Sequence, residues 1–479
     1  MSEPLLLSAT ALARAIRERR LRSVDVVDAH IARIERINPT INAVVQQRFD
    51  AARAEAHAAD AAVEQGQADL PPLHGVPCTI KENFAFAGYP QVSGLVARRN
   101  AIADADAPTV ARLRQAGAIV LGFTNTSELC MWLESNNRVY GRTNNPYDPR
   151  CMVGGSSGGE GAIIGAGASP FGLGADVGGS IRFPAFFNGV FGHKPTPGIV
   201  PNTGQFPLPE GRMNRNCVTG PLARRAEDLW PLLRILAGAD GIDPEARDGA
   251  LQGNPDAVDV GALRVLSIEE NGRHRVAADL RATQRNAAQW LGTQGRGLST
   301  PRFPSMKRSF EIWSALMQQA QPQPFAEQLG QGRRISVARE LLKLSVGRSA
   351  HTVPALALAA LERVPMPVER YARLGAALRA ELIEAIGPDG VLLMPPYTSA
   401  APRHNVPLLR PFHFAYCGLF NVLGFPVTQV PLGLNRDGLP LGVQVVGIPG
   451  NDAVTIAAAR ALERRFGGWT PPPGMHDAG

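Results

Sequence analysis

Two groups of serines, each set among glycines, stand out between residues 154 and 185. Ser156-Ser157 begins the stretch, and Ser180 follows 24 residues after Ser156, directly behind Gly178-Gly179. Without side chains in the way, the backbone N–H groups around these two glycines can converge on one point. Such donors suit an oxyanion hole, in which each can be worth about 3 kcal/mol of the activation barrier. The segment therefore suits a nucleophilic serine beside an oxyanion hole.

A nucleophilic serine needs a base to take its proton, and the sequence offers two candidates. His193 is the histidine nearest to Ser180 in the chain, and either a role as the base or a structural role fits it. Lys81 ends the short apolar run Cys78-Thr79-Ile80. A lysine can act as a base when its amine is neutral, which burial favours. By residue type alone, Lys81 could equally be a surface lysine.

Three other motifs in the glycine-rich segment are disfavoured. Gly154 to Gly158 and Gly155 to Gly159 both match GxSxG, the nucleophile elbow of α/β-hydrolases. An elbow must follow a strand, and Pro149 and its neighbours make a poor one. Gly172-Leu173-Gly174 lacks the spacing of a dinucleotide-binding loop, and the sequence contains no GxxxxGK[ST] phosphate loop. Neither nucleotide-binding motif is therefore supported.

The elements that must position these residues alternate between strands and helices. Apolar runs at 78–80, 118–122 and 391–394 predict buried strands. The runs 427–430 and 443–446 flank the turn signal Asn435-Arg436-Asp437-Gly438 and predict a hairpin. Together these runs predict an α/β fold, with a large, twisted, mixed β-sheet covered by α-helices on both faces.

Helices are predicted at both ends and in the middle of the chain. Ser8 and Ser23 are candidate N-caps of the first two helices, and the helical pattern continues through the alanine-rich residues 51–64. A last helix is predicted from about Asp452 to Phe466. The predicted parts are N-terminal helices at about 8–65, a core at about 71–220, a helical region at about 305–375, C-terminal strands and a helix at about 388–468, and a mobile tail at 470–479.

Composition narrows the class of protein. The 479 residues would make about three average domains, but no linker divides the chain, so a single domain over 1–479 is predicted. The net charge of +7 is too dilute over this length for a nucleic-acid binder. Five cysteines form no CxxC or Cys/His cluster, which argues against structural zinc and a disulfide framework. No apolar run is long enough to span a bilayer and no signal peptide is evident, so a cytoplasmic protein is expected.

Several motifs, in order along the chain, resemble the amidase signature family. They are Gly75-Val76-Pro77 followed by Lys81, Gly122-Phe123-Thr124-Asn125, Tyr140 to Pro146, the glycine/serine block from Gly154 to Thr196, and Gly438 to Gln444. The similarity covers roughly residues 5–470. It implies the amidase-signature fold and a Ser–Ser–Lys triad.

The resemblance assigns a role to each residue of that triad. Ser180 resembles the nucleophile, Ser156 the bridging serine whose peptide bond is cis in the family, and Lys81 the base. The implied chemistry is hydrolysis of an amide through an acyl-enzyme, with no metal and no organic cofactor. The implied oxyanion hole consists of the backbone N–H groups of Val177, Gly178, Gly179 and Ser180.

Further residues are assigned supporting roles. Ser157 is expected to support the triad by hydrogen bonding, and Asp176 and Arg182 are expected to order the loop around Ser180. Family members line the substrate pocket just after the Thr124-Asn125 motif, so the resemblance places the pocket at Cys130, Met131 and Trp132.

Within the family, the chain is most similar to fatty acid amide hydrolases, through the residues 154–162 and 176–184 and through Lys81-Glu82. This implies hydrolysis of N-acyl amides, such as long-chain N-acylethanolamines, to a fatty acid and an amine. An aryl or broad-specificity amidase, the glutaminase subunit of a tRNA-dependent amidotransferase and a non-catalytic binding protein remain alternatives. Phe123 and His193 depart from the residues commoner in the family.

One basic and apolar stretch bears on the partners of the protein. Residues 333–348 mix arginine and lysine with leucine, isoleucine and valine, so this face could rest on an anionic membrane or pack on the core. The expected partner is a small-molecule, lipid-like amide, and no nucleic acid is expected. Peripheral contact with the membrane and a homodimer are left open.

Overall fold

A computed structural model describes residues 3–320, 323–362 and 364–473 of the chain. The strands are β1 (Val44–Gln47), β2 (Val76–Lys81), β3 (Ala118–Thr124), β4 (Asn136–Asn137), β5 (Gly141–Arg142), β6 (Phe171–Asp176), β7 (Phe191–Lys194), β8 (Val218–Ala223), β9 (Arg264–Ser267), β10 (Leu298–Ser299), β11 (Gly390–Met394), β12 (Val427–Leu434) and β13 (Pro440–Val446). Within the described residues they form an eleven-stranded sheet, ordered β1-β3-β2-β6-β8-β7-β12-β13-β11-β9-β10, and a separate β4-β5 pair. Parallel and antiparallel pairs both occur, so the predicted mixed sheet is confirmed.

Helices cover both faces of the large sheet. They are α1 (Ala9–Arg17), α2 (Ser23–Ile41), α3 (Phe49–Glu64), α4 (Pro108–Gln115), α5 (Gly158–Gly165), α6 (Arg182–Phe187), α7 (Met213–Asn216), α8 (Leu229–Leu236), α9 (Ala278–Gln294), α10 (Ser309–Ala320), α11 (Phe325–Leu329), α12 (Val337–Ser345), α13 (Val353–Leu361), α14 (Val368–Ile386), α15 (Val406–Leu409), α16 (Ala415–Val422) and α17 (Asp452–Phe466). Successive side chains of a strand point to opposite faces. Accordingly, Val120 of β3 packs into one apolar cluster, and Ile119 and Leu121 pack into another.

Three adjacent strands determine where the site lies. β3, β2 and β6 are neighbours and run parallel, so their carboxyl ends meet at one edge of the sheet. Loops that leave this edge converge, as in other α/β folds. Lys81 ends β2, and the loop that carries Ser180 follows β6.

Several predicted elements are confirmed with close boundaries. β12 and β13 form the antiparallel hairpin around the predicted turn, and α17 spans the predicted last helix. Ser8 caps α1 by accepting the N–H of Ala11. The central region contains α10 to α14. The predicted single domain stays a prediction, and residues 474–479 of the predicted mobile tail lie outside the described residues.

Two predictions for the N-terminal region are wrong. The first 65 residues were expected to be helical, yet β1 lies between α2 and α3 and pairs with β3. Ser23 was expected to cap the second helix, but it is the first residue of α2. Its hydroxyl donates to the carbonyl of Gly75 instead, and the carboxylate of Asp60 accepts the N–H groups of Ser23 and Val24. A carboxylate from another helix thus replaces the local cap.

Helices α11, α12 and α13, named here the cover helices, pack apart from the main core. Phe325 and Leu329 of α11 and Ala355 and Ala359 of α13 form a small apolar cluster with Leu129. This cluster is separate from the three larger ones around the sheet. Among the described residues, no helix is long and apolar enough to cross a membrane.

Candidate active site

A cavity of about 470 Å³ opens at the edge where β3, β2 and β6 end. Lys81, Ser156 and Ser180 all line it. They come from the end of β2, from the loop before α5 and from the loop between β6 and α6. The structure therefore brings together the three residues that the sequence predicts as a triad.

Lys81 is a buried residue, with none of its surface exposed. Its Nζ lies 2.7 Å from Oγ of Ser156, within hydrogen-bonding distance. Among the described residues, no carboxylate forms an ion pair with Lys81. The reading of Lys81 as a surface lysine is thus wrong, because β2 lies between β3 and β6 within the sheet.

Ser156 lies in a tightly packed loop. Its peptide bond with Gly155 is cis, and a Cβ at Gly155 would overlap the carbonyl oxygen of Trp132. The hydroxyl of Ser135 donates to the carbonyl of Ser156 at 3.0 Å. The same hydroxyl accepts the N–H of Gly158 at 2.9 Å. Ser135 is a supporting residue that the sequence analysis did not find, since no motif joins it to the glycine/serine block.

Ser157 links the two serine loops. Its N–H donates to the carbonyl of Ser180 at 3.2 Å, and its hydroxyl donates to the carbonyl of Ala175 at 3.3 Å. These bonds hold the chain around Ser180 beside the chain around Ser156. The supporting role expected for Ser157 stays a prediction.

Asp176 and Arg182 form a wholly buried ion pair under the Ser180 loop. Nε of Arg182 donates to Asp176 Oδ2 at 3.0 Å, and Nη1 donates to the carbonyl of Cys417 at 2.9 Å. Burial opposes ionisation of Asp176, but the charge of Arg182 and the hydrogen bonds from Arg182 and Asn421 outweigh it. The pKa of the Asp176 carboxyl is therefore held below its usual range.

The four expected oxyanion donors differ in whether their N–H groups already have an acceptor. Among the described residues, the N–H groups of Val177, Gly178 and Ser180 have no acceptor. The N–H of Gly179, in contrast, donates to Asp176 Oδ1 at 2.6 Å. The N–H of Gly179 is thus already bonded to the loop's own carboxylate, and its expected role as an oxyanion donor stays a prediction.

The predicted pocket residues lie only partly on the cavity. Cys130 and Met131 line it, whereas Trp132 is not among the described residues that do. The backbone of Trp132 is bonded to a neighbouring side chain, because its N–H donates to Oγ of Ser127. Further apolar lining comes from Leu129, Phe206, Leu208, Met213 and Phe325. These belong to loops and to α7 and α11, far apart in sequence, and no periodic pattern marked them.

Comparison with known proteins identifies the family of the chain. The sequence profile of the family described as Amidase matches residues 25–456. The chain belongs to the amidase family. This amidase is 47% identical to Fatty-acid amide hydrolase 2 of Homo sapiens, over 98% of its own length and 91% of that protein. It is 45% identical to Fatty-acid amide hydrolase 2-A of Danio rerio, over 98% and 90% of the two chains.

A solved structure shows the same fold. It is described as a vestigial protein complex that reveals the origins of an s-triazine catabolic enzyme, and it matches this amidase with a TM-score of 0.82. The two chains are 26% identical, and the match covers 97% of this chain and 99% of the other. The amidase-signature fold predicted from the motifs is thus confirmed, and the chain is a serine hydrolase of the amidohydrolase class.

Glu160 is a buried carboxyl close to the site of this amidase that the sequence did not point to. It lies on α5, where it accepts the hydroxyls of Thr79 at 2.8 Å and Thr124 at 2.9 Å. Burial raises the pKa of Glu160 to about 8, although these two hydrogen bonds oppose the rise. A buried carboxyl with a raised pKa therefore bonds to Thr79 of β2, two residues before Lys81.

His193 has a structural position in the amidase. It is wholly buried in β7, away from the residues that line the cavity. Its ring nitrogens lie 2.9 Å from Thr428 Oγ1 and 3.1 Å from Asp452 Oδ1. Of the two roles considered for His193, the geometry favours the structural one.

Proposed function

We propose that this amidase hydrolyses N-acyl amides, with Ser180 as nucleophile, Ser156 as proton carrier and Lys81 as base. The observation that carries the proposal is the 2.7 Å contact between Lys81 Nζ and Ser156 Oγ in the cavity that Ser180 also lines. A base that contacts one serine, which in turn neighbours a second, is the arrangement that nucleophilic catalysis by a hydroxyl requires.

The first half of the reaction forms an acyl-enzyme. The neutral amine of Lys81 takes the proton of Ser156, which takes the proton of Ser180. Oγ of Ser180 then attacks the amide carbonyl carbon and forms a tetrahedral oxyanion. The free N–H groups of Val177, Gly178 and Ser180 donate to that oxyanion. When the C–N bond breaks, Ser156 gives its proton to the leaving amine.

The second half of the reaction releases the acid. Water enters after the amine has left, and the same relay of Ser156 and Lys81 takes its proton. The hydroxide oxygen attacks the acyl ester on Ser180, and a second oxyanion forms at the same donors. Its collapse breaks the bond to Ser180 Oγ, which regains a proton from Ser156 and leaves the free carboxylic acid.

We propose a long acyl chain as the preferred substrate feature. Leu129, Met131, Phe206 and Phe325 give the cavity an apolar wall that suits a hydrocarbon chain. The relatives named fatty-acid amide hydrolases support the same choice. An aryl or broad-specificity amidase, and a glutaminase subunit, are the alternatives that substrate comparison would reveal.

We also propose that the cover helices bring the amidase to a membrane. On and after α12, Leu342 is 71% exposed and Val346 is 65% exposed. Arg339 and Arg348 are exposed beside them. Exposed apolar side chains with basic ones nearby in the chain are typical of a surface that enters the headgroup region of an anionic membrane. A homodimer and a cytoplasmic location stay predictions.

The test combines an active-site label with a substrate comparison. We expect a long-chain fluorophosphonate to label Ser180 and the Ser180→Ala variant to lose both label and turnover. Lys81→Ala should lower the rate by orders of magnitude without preventing folding. Hydrolysis should be faster for a long-chain N-acylethanolamine than for an aryl amide or glutamine. Near-normal rates in Lys81→Ala would contradict the base assignment, and preferred turnover of glutamine would contradict the lipid assignment.

A further inference from the structure

Glu128 joins the wall of the cavity to the cover helices. It belongs to a short turn of helix, Glu128–Cys130, and directly precedes the cavity-lining residues Leu129, Cys130 and Met131. Only 2% of Glu128 is exposed. Its carboxylate therefore needs partners from other elements, because a buried charge without them is strongly unfavourable.

Both partners come from the start of α13. Nδ1 of His351 lies 2.7 Å from Glu128 Oε1, and the N–H of Thr352 donates to Oε2 at 2.8 Å. Thr352 is the N-cap of α13. The N-terminal end of a helix favours a nearby anion, because the peptide dipoles leave partial positive charge there. The carboxylate thus fixes the position of α13 relative to the cavity wall.

The bond network continues into α12. The N–H of His351 donates to Oγ of Ser349, whose hydroxyl donates to Oε2 of Glu340 on α12. α12 and α13 are therefore linked to the same carboxylate of Glu128 through successive hydrogen bonds. Around it, Leu129 packs against Phe325 and Ala355 in the small apolar cluster.

The wall beside Glu128 has an unfavourable backbone conformation. Leu129 has a φ of +50° and Cys130 a φ of +59°. Residues other than glycine rarely adopt this left-handed backbone conformation, so surrounding contacts must hold the backbone there. The N–H of Leu129 donates to the carbonyl of Ser93, the N–H of Cys130 donates to the carbonyl of Ser127, and Glu128 adds the attachment to α13.

We propose that Glu128 is a positioning residue that determines acyl-chain selectivity. It holds residues 129–131 of the cavity wall against α13, whose Ala355 and Ala359 share an apolar cluster with Phe325 of α11. Without it, the cover helices move away and the left-handed wall relaxes. A long acyl chain then loses the apolar contacts that residues 129–131 and Phe325 supply, whereas an acetyl group near Ser180 does not. The inference rests on the proposed acyl-amide hydrolysis.

The experiment compares variants over one series of substrates. Wild type, Glu128→Leu and Glu128→Gln are assayed with amides of one amine whose acyl groups range from acetyl to palmitoyl. Leucine removes both acceptors at similar volume, whereas glutamine keeps an acceptor for the N–H of Thr352 and a group that His351 can bond. We expect Glu128→Leu to lose about tenfold or more in kcat/KM for palmitoyl, mostly through KM. Its acetyl value should stay within roughly threefold of wild type, and Glu128→Gln should recover most of the loss.

Glu134 provides a matched control. Its buried carboxylate has the same two kinds of partner. Oε1 is hydrogen-bonded to Nδ1 of His404, and Oε2 accepts the N–H of Asn405. Glu134, His404 and Asn405 are not among the described residues that line the cavity. Glu134→Leu should therefore leave the ratio of palmitoyl to acetyl turnover unchanged. A uniform loss across the series in Glu128→Leu, or the same change of ratio in Glu134→Leu, would overturn the proposal.

Two further measurements keep the inference separate from the proposed function. Amide hydrogen exchange should rise in residues 129–131 and 353–361 of Glu128→Leu, whatever the substrate, and unchanged exchange there would overturn the proposed contact. If Glu128→Leu does not fold, His351→Leu tests the same link from the cover helices. Absence of long-chain turnover in the wild type would contradict the proposed function, whereas the exchange result would still decide the role of Glu128.

Discussion

At the scale of single residues, burial changes how readily a carboxyl near the triad ionises. Glu160 is wholly buried, and its carboxyl oxygens accept the hydroxyls of Thr79 and Thr124. The carboxyl of Glu160 has a raised pKa because the chain removes it from water. Its protonation therefore makes the free energy of unfolding depend on pH.

Glu160→Gln should change how stability depends on pH. The pKa of Glu160 is raised from 4.5 to about 8 in the folded state, so the folded protein binds a proton that the unfolded chain releases. This stabilising contribution is complete below the unfolded pKa of 4.5 and is lost as pH rises through about 8. Glutamine is neutral at every pH, so the variant avoids the loss. Its free energy of unfolding should rise relative to wild type by a few kcal/mol across this window.

Urea unfolding of both proteins at several pH values between about 4.5 and 9 measures this difference. The comparison at the acid end is the internal control, because both side chains are neutral there. A difference that stays constant with pH would show that Glu160 is not protonated in the folded state.

At the scale of elements, the turn from β6 into α6 shows how a loop of small residues is kept in one shape. Asp176 ends β6 and Arg182 begins α6. The carboxylate accepts the N–H groups of Gly179 and Ile181, and the guanidinium reaches Gln444 of β13. The ion pair therefore positions the loop relative to the distant half of the sheet, and the oxyanion donors with it.

Asp176→Asn should destabilise the fold and slow the reaction together. The variant leaves the buried guanidinium of Arg182 without its counter-ion, and loss of one partner of a buried pair costs about 3–5 kcal/mol. Thermal unfolding and kcat are the measurements. The double variant Asp176→Asn/Arg182→Met should regain part of the stability, because no buried charge remains, but not kcat. A single variant as stable as wild type would contradict this account.

At the scale of the whole molecule, the sheet joins segments from both ends of the chain. β1 to β3 lie at one side and β9 to β11 at the other, and the largest apolar cluster contains residues from Ala9 to Leu462. The cover helices stand apart from this arrangement, and α12 carries the exposed residues Leu342 and Arg339. The proposed contact with a membrane should therefore depend on this surface of the cover helices.

Leu342→Asp should weaken binding to anionic vesicles without changing turnover of an acetyl amide. An aspartate on this exposed position removes apolar surface and adds repulsion from anionic lipid. Cosedimentation with vesicles of phosphatidylserine and phosphatidylcholine measures the binding. Leu409→Asp, at a position 84% exposed on α15, is the matched control because it lies outside the cover helices. Equal loss in both variants, or no loss in either, would contradict the proposed surface.

The sequence alone determined those features that depend on neighbours along the chain. The hairpin of β12 and β13 follows from alternating apolar residues around an Asp-Gly turn, and α17 follows from its repeat of apolar residues. The family and the residues Lys81, Ser156 and Ser180 were also within reach, because ordered motifs are local patterns.

Only the tertiary structure decided the features that depend on residues far apart in sequence. It buried Lys81, bonded the N–H of Gly179 to Asp176 and left Trp132 off the cavity. It also placed β1 at the edge of the sheet beside β3. Hydrogen bonds and desolvation act on whatever the fold brings within a few ångströms, and the order of residues along the chain does not specify those neighbours.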